Sequence, residues 1–307
     1  MWVASLARFL QYAGATGLFG AALFCLTLLP PSGPASAGAL RWPKPLLIAG
    51  SLLLCVGALL SLAAQAALMN GISIAKLDLP SVSVVVTDTQ WGHAMAARIV
   101  LSLITLLTVA VVTPSRRLWQ IACALGIILL ASFAWTGHGA STEGAWGVVH
   151  LLADIAHTIA AGVWLGALLA FVALLFRPTA ADAPHQTALS NALKNFSGIG
   201  SALVAVLIVS GLINSAFLVG IAHLARFFQT AYGIVLTVKV VVFAGMLGLA
   251  ALNRYRLTPA LDTAVGAGDT MRALSALRRS LVLETLAGLV VLALVAALGM
   301  MDPPAAL

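Results

Sequence analysis

His150, Asp154 and His157 are the residues of this sequence best suited to chemistry. They stand in the run His150-Leu151-Leu152-Ala153-Asp154-Ile155-Ala156-His157, and i, i+4, i+7 spacing puts three side chains on one stripe of a helix. The run is otherwise apolar, and the stripe continues to Ala161 and Trp164. An Asp at the centre of a membrane helix costs about 2.5–3.5 kcal/mol on insertion scales, so such a stripe must face protein rather than lipid. It is either a structural hydrogen-bond network or a site for a metal ion or cofactor.

Further groups of related chemistry lie elsewhere. His93 and Met95 begin an apolar run, His138 sits in Thr136-Gly137-His138-Gly139, and His223 lies between two runs. Met69, Met300 and Met301 end apolar runs. Imidazole and thioether together are a donor set that copper prefers, with methionine favouring Cu(I). Each residue also has a plainer role, a loop histidine being an ordinary polar residue and a terminal methionine ordinary packing. His93 and Met95 are two apart, so on a helix they face nearly opposite ways. They converge only where His93 precedes the first helical turn. Neutral imidazole binds metal and imidazolium does not, so affinity is expected to fall as pH drops through about 6.5, the unperturbed histidine value.

Arg98 and Lys239 fall at depths similar to Asp154 in their own runs. A buried cation needs a counter-charge, so pairing of either with Asp154 is expected, with snorkelling to the headgroups the alternative for Arg98. Glu284 is expected to pair with Arg254 or Arg256, and His185 to be a solvated loop residue. Cys25, Cys55 and Cys123 lie singly in apolar runs with no CxxC, which implies small core residues rather than a thiolate site or a disulfide framework.

The elements that position these residues follow from composition. Of 307 residues, 62% are hydrophobic and 8% charged, whereas soluble domains carry about 25% charged residues. A bilayer core needs about 20 apolar residues as helix. Eight runs meet that length, about 5–29, 45–68, 94–113, 118–135, 148–176, 199–219, 232–252 and 280–301. Pro30-Pro31, Pro43, Pro114, Gly137, Pro178, Pro259 and Pro303 punctuate their ends. Ala35-Ser36-Ala37 resembles a signal-peptidase site, but the preceding apolar stretch is long and Pro30-Pro31 intervenes, which favours a retained helix.

Loop lysines and arginines set the expected orientation. Arg41, Lys44, Arg116, Arg117, Arg177, Lys194, Arg254, Arg256, Arg272, Arg278 and Arg279 fall on one side; Lys76 and Arg226 fall on the other. Both termini are therefore expected to be periplasmic. His93, His138, His150 and His223 then lie at the periplasmic side, and His157 about two turns deeper than His150. The net charge of +7 is scattered between apolar runs, which does not suit nucleic acid. No GxxxxGK[ST] sequence is present, so no nucleotide partner is implied.

The sequence His150-x3-Asp154-x2-His157-x6-Trp164-Leu165-Gly166 resembles the membrane domain of the CopD/PcoD copper-resistance family. So do Asn195-Phe196-Ser197 leading into Ser210-Gly211-Leu212-Ile213-Asn214, and Thr230-Ala231-Tyr232-Gly233 followed by Lys239, Asn253-Arg254-Tyr255-Arg256 and Pro259. A fourth block runs from Leu277-Arg278-Arg279-Ser280 to Glu284. Together the blocks span about 148–303. The first half matches more loosely, through Asp88-Thr89-Gln90-Trp91-Gly92-His93 and Arg98.

The resemblance implies eight membrane helices, a copper-related role and cooperation with a separate periplasmic copper-binding protein of the CopC type. The expected architecture is an all-α polytopic bundle in the inner membrane, with a four-helix region over 1–147 and a CopD-like four-helix region over 148–307 forming one unit. The expected site takes copper, Cu(I) or Cu(II), at a periplasmic funnel of His93, Met95, His138 and His150. It then leads to Asp154 and His157, with Arg98 and Lys239 as supporting charges. Import without ATP hydrolysis and without enzymatic turnover is the expected activity. Two alternatives stand beside it: a haem-binding membrane oxidoreductase, with Arg98 and Lys239 holding propionates, and a non-transporting assembly factor for copper proteins.

Overall fold

A computed structural model describes residues 2–137, 142, 144–177, 182–220, 227–267 and 270–306. Among them no strand occurs, and eight helical segments are long and apolar enough to cross a membrane. The fold is an all-α polytopic membrane bundle. The helices are α1 (Trp2–Thr27), α2 (Pro43–Met69), α3 (Leu79–Asp88), α4 (Gln90–Val111), α5 (Arg116–Ala131), α6 (Ala145–Leu175), α7 (Ala183–Val219), α8 (Ala231–Leu252), α9 (Thr258–Ala267) and α10 (Met271–Leu298). Of these, α3 is too short to span, and α8, the turn that follows it and α9 together make the seventh of the eight segments, Ala231–Ala267.

Local chemistry sets several starts. Thr89 caps α4 by accepting from Gly92 N at 2.8 Å, and Thr230 caps α8 by accepting from Gly233 N at 3.0 Å. Each side-chain oxygen satisfies an amide that has no partner within its helix. Asp78 does the same for Ser81 N at the start of α3, and those hydrogen bonds hold its carboxyl below the usual carboxylate range.

The centre of the bundle is α1, which packs against α2, α5, α6 and α10. Close approach is achieved with glycine. A Cβ on Gly20 would collide with the backbone of Gly166 on α6, and a Cβ on Gly14 with that of Gly50 on α2. In lipid, where apolar burial gives no net drive between helices, such backbone-to-backbone packing supplies the association energy. The main apolar core includes Leu18, Phe24, Leu47, Leu118, Phe171 and Leu175. A second, smaller cluster joins Ala58, Leu62, Ala66, Val85 and Met95 where α2, α3 and α4 meet.

Three boundaries differ from the sequence expectation. First, α7 begins at Ala183 rather than near 199, and its 37 residues correspond to about 55 Å, well beyond a bilayer core of about 30 Å. His185 is therefore a buried residue in the first turn of α7, beside Asp182 at 3.8 Å, and not a solvated loop residue. Second, Pro259 does not end the seventh span. A π-turn over Asn253–Leu257 precedes it, so Pro259 enters the first turn of α9, where a missing N–H costs little. Third, α10 begins at Met271, which brings Arg272, Arg278 and Arg279 into the helix. Arg278 Nη2 then donates to Leu175 O at 2.9 Å and the guanidinium lies 4.9 Å from the Phe176 ring centroid, while its Nε is buried without a partner.

Candidate functional site

The stripe predicted on the fifth spanning helix is present on α6, facing protein. His150, Asp154 and His157 line one cavity of about 140 Å³, together with Arg8 and Tyr12 from α1, Asn214 from α7, and Tyr232 and Lys239 from α8. The cavity exists because α7 packs on α6 while α8 packs on α10. The space between α7 and α8 is a cleft floored by α6 and α10. It continues into an apolar cavity of about 230 Å³ lined by His157, Trp164, Lys239 and Phe243. A third cavity, of about 200 Å³, lies beyond Trp164 and includes Glu284, Asn253 and Arg254.

The hydrogen bonds around His157 favour one tautomer. The Ser210 hydroxyl donates its single proton to Val206 O at 2.6 Å, so Ser210 Oγ accepts from His157 Nδ1–H at 2.9 Å. In the neutral ring this leaves the lone pair on Nε2, the form in which imidazole ligates a metal. His150 is 2% exposed. Its Nδ1 lies 2.7 Å from Thr142 Oγ1 and its ring stacks on Phe217 at 4.7 Å. Asp154 Oδ1 accepts from Asn214 Nδ2 at 3.4 Å. The Asn214 Oδ1 atom is buried with no hydrogen-bond partner, an acceptor of the kind that folded proteins rarely leave unmatched.

Lys239 and Asp154 share the cavity of about 140 Å³, and each acts on the other electrostatically across it. Among the described residues the ion pairs are Lys194–Asp262 and His185–Asp182, so the Asp154 and Lys239 charges face one another without closing a contact.

Arg98 is not part of this cleft and does not meet Asp154. It is 2% exposed, and it donates to Gln11 Oε1 at 3.0 Å, Ser132 Oγ at 2.9 Å, Ser132 O at 2.7 Å and Thr136 Oγ1 at 2.8 Å. Its guanidinium also lies 4.4 Å from the Phe133 ring centroid. Neutral acceptors therefore hold the charge, and snorkelling is not used.

The structure also separates the expected funnel. Because α4 begins at Gln90, His93 lies within the first helical turn, and His93 and Met95 point apart. His93 is exposed, with Nε2 3.1 Å from Thr87 O, and Met95 is packed in the smaller apolar cluster. Neither lines the α6 cavity. His138 and His223 lie outside the described residues. Among the described residues no three His, Cys, Asp or Glu side chains converge as a metal cluster. The α6 stripe is thus an open lining with donors on one wall. Met69 and the Met300–Met301 pair lie at helix ends and are absent from the cavity lining.

Glu284 is also placed differently from the sequence expectation. Its carboxylate accepts from Trp164 Nε1 at 2.9 Å and from Asn253 Nδ2 at 2.8 Å. Arg254 instead reaches Ser197 O at 2.9 Å and the Ser201 hydroxyl. Sequence reasoning also assigned no role to Ser210 and Asn214. They sit four apart on α7, the spacing that puts both on one face, which was the available signal. Arg8 and Tyr12 stand at the same spacing on α1 and carried the same signal.

Comparison with known proteins agrees with this architecture. Residues 1–148 match the family model described as "Copper resistance protein D-like, N-terminal domain", and residues 190–298 match that described as "Copper resistance protein D". The chain is 36% identical over 299 residues to "Copper resistance protein D" of Pseudomonas syringae pv. tomato, covering 96% of this chain and 95% of the relative. It is 30% identical over 251 residues to "Inner membrane protein YebZ" of Escherichia coli (strain K12), covering 81% of each. Over 125 residues it is 35% identical to "Copper transport protein CutJ" of Bacillus subtilis (strain 168), covering 41% of this chain and 22% of that protein. No solved structure matches.

Proposed function

This chain belongs to the copper resistance protein D family, and from that premise we propose that it accepts copper in the outer cavity of the α7–α8 cleft and passes it inward without ATP hydrolysis. It is a multi-pass inner-membrane protein of a family whose members are named for copper resistance and copper transport. The observation that carries the proposal is the cavity where buried His150 and half-buried Asp154 and His157 stand beside open space and Asn214 Oδ1 has no partner.

Copper is the cargo. His157 offers a lone pair on Nε2, and His150 offers a second imidazole about two turns away on the same stripe. Asp154 offsets Lys239, so an arriving cation does not meet an uncompensated ammonium. The cleft between α7 and α8 gives the ion a route along α6 towards Trp164. A haem here would use His150 or His157 with Arg98 and Lys239 on its propionates, but Arg98 lies outside the cavity on Gln11, Ser132 and Thr136, which favours an ion over haem. The role is carriage rather than enzymatic turnover. The orientation is that set by the basic loops, with both termini and the outer cavity periplasmic, and a separate CopC-type protein as the copper donor.

The test is copper uptake into proteoliposomes holding the wild-type protein or the His157→Ala variant. Uptake by the wild type and its loss in the variant support the proposal. Equal uptake by both contradicts it. Cysteines introduced at Ser141, outside the described residues, and near Asp262 should label from opposite faces, Ser141 from outside. Labelling from one face would overturn the orientation.

A further inference from the structure

The Glu284 chamber has a chemistry that copper binding at the outer cavity does not use. Glu284 is 2% exposed, and no cation touches it among the described residues. Its two hydrogen bonds come from neutral donors, Trp164 Nε1–H and Asn253 Nδ2–H. Arg254 and Tyr255 are the other ionisable residues lining this cavity, and the Arg254 guanidinium is engaged by Ser197 and Ser201 of α7. The facing groups on α6, α7 and α9, including Trp164, Ser197, Ser201 and Thr258, carry no charge. An isolated carboxylate of this kind is expensive to leave ionised inside a membrane protein.

Asn253 supplies the second observation. The side chain is 7% exposed, and its Oδ1 atom is buried with no partner. A side-chain amide carries donors on one end and an acceptor on the other. With Glu284 ionised, Nδ2–H donates to Oε2, as observed. With Glu284 protonated at Oε2, a half-turn of the amide brings Oδ1 to accept the new O–H. The pair can therefore keep a mutual hydrogen bond in both protonation states without moving a helix.

Trp164 connects this pair to the cleft. Its ring lines both the Glu284 cavity and the apolar cavity that reaches His157 and Lys239. It stands between them, edge-on to Phe243 at 5.9 Å. Its one polar bond goes to Glu284 Oε1. A hydrogen bond to an ionised acceptor is roughly twice as strong as one to a neutral acceptor, so protonation of the carboxyl weakens what fixes the indole.

We propose that Glu284 and Asn253 form a proton-binding site at the end of the cleft opposite the histidines, and that the Trp164 partition loosens when the proton is bound. A proton delivered as hydronium through the Arg254 side of the cavity forms an O–H bond at Glu284 Oε2 and leaves water behind. The hydrogen bond from Asn253 Nδ2–H to Oε2 is replaced by one from Oε2–H to Asn253 Oδ1. As a coupling site this rests on the transport function proposed above, but proton binding itself needs no copper.

The experiment therefore uses metal-free, full-length protein. Infrared difference spectra between about pH 8 and about pH 5, a window around the carboxylate and histidine ranges, should show a deuterium-sensitive carboxylic-acid carbonyl band on acidification. The band should be lost in Glu284→Gln, retained in Glu284→Asp and unchanged in Ser190→Ala. A band undiminished in Glu284→Gln, or no band in wild type, would overturn the proton site. For the partition, Ala161→Cys is placed in a background lacking Cys25, Cys55 and Cys123. Maleimide applied from the Arg254 side should label it several-fold faster with Glu284→Gln, the neutral mimic, than with Glu284 at neutral pH. Equal rates would overturn the coupling to Trp164. If both results hold while copper uptake is absent, the transport function fails and the proton site stands.

Discussion

Arg98 on α4 and His157 on α6 both carry a nitrogen head group into the bundle, yet their surroundings are unlike. Around Arg98, four N–H donors are matched to four acceptor contacts, and Gln11 goes on to donate to Ala7 O, Gly57 O and Ser61 Oγ. That network ties α1, α2, α4 and the end of α5 together and, among the described residues, leaves none of its buried side-chain polar atoms without a partner. Around His157, the ring is fixed from one side by Ser210, Asn214 Oδ1 has no partner, and open volume adjoins all three stripe residues. A saturated polar cluster stabilises the fold, whereas an incompletely matched one beside a cavity is available to a ligand.

The largest expected effect comes from the saturated cluster. Arg98→Leu strands Gln11 Oε1, at about 1–3 kcal/mol for a buried group left unmatched, and removes the charge-assisted hydrogen bonds to Ser132 and Thr136, at about 1.5–3 kcal/mol each. Thermal unfolding in detergent should show at least about 3 kcal/mol of lost stability, with copper affinity of the folded fraction unchanged. A loss of copper binding without loss of stability would place Arg98 in the site and erase the distinction between the clusters.

Next comes Asp154→Asn, which leaves Lys239 without its balancing charge inside the cleft. Removing one member of a buried charge pair costs about 3–5 kcal/mol, and less where the charges are not in contact, as here. The variant should therefore unfold earlier than wild type but later than Arg98→Leu. Asp154→Asn with Lys239→Met should recover part of the loss. A double variant no more stable than the single one would mean that these charges do not act on each other.

Ser210→Ala sharpens the comparison from the cleft side. It removes the acceptor that orients His157 without touching the candidate ligand atom. Outer partners of this kind are worth about 10–100-fold in metal affinity, and the lower end is expected here because Ser210 is neutral. Unchanged affinity, measured by chelator competition, would mean that His157 orientation is set by other contacts.

The smallest effects belong to the residues set apart from the cleft. Met95→Leu is a nearly volume-conserving change in the α2–α3–α4 cluster and should cost less than about 1.5 kcal/mol. Exposed His93→Ala should stay within about 0.5 kcal/mol. Neither should alter copper affinity; weakening of Cu(I) alone by Met95→Leu would return the thioether to the site.

The spans were legible because a lipid environment demands long apolar runs, and so was the α6 stripe, because three polar residues at helical spacing stand out in such a run. The polar start of α7 was not legible as helix, since His185, Gln186, Asn191, Lys194 and Asn195 read as loop when length of apolar run is the criterion. Asp182 before Pro184 was the overlooked start signal. Partners of buried charges were the least legible. Charge alone pointed Arg98 to Asp154 and Glu284 to Arg254, whereas the structure satisfies both with neutral groups from helices distant in sequence. Such pairings depend on which faces meet, and a single sequence does not state that.

The central claim is that the α6 stripe holds the copper. Its most direct test is a chelator-competition titration of detergent-solubilised protein, in both copper oxidation states, comparing wild type with the His150→Ala/His157→Ala double variant. We expect the double variant to lose at least about tenfold in affinity, or about 1.4 kcal/mol, while unfolding close to the wild-type temperature. Unchanged affinity in the double variant would contradict the account and remove copper from the cleft.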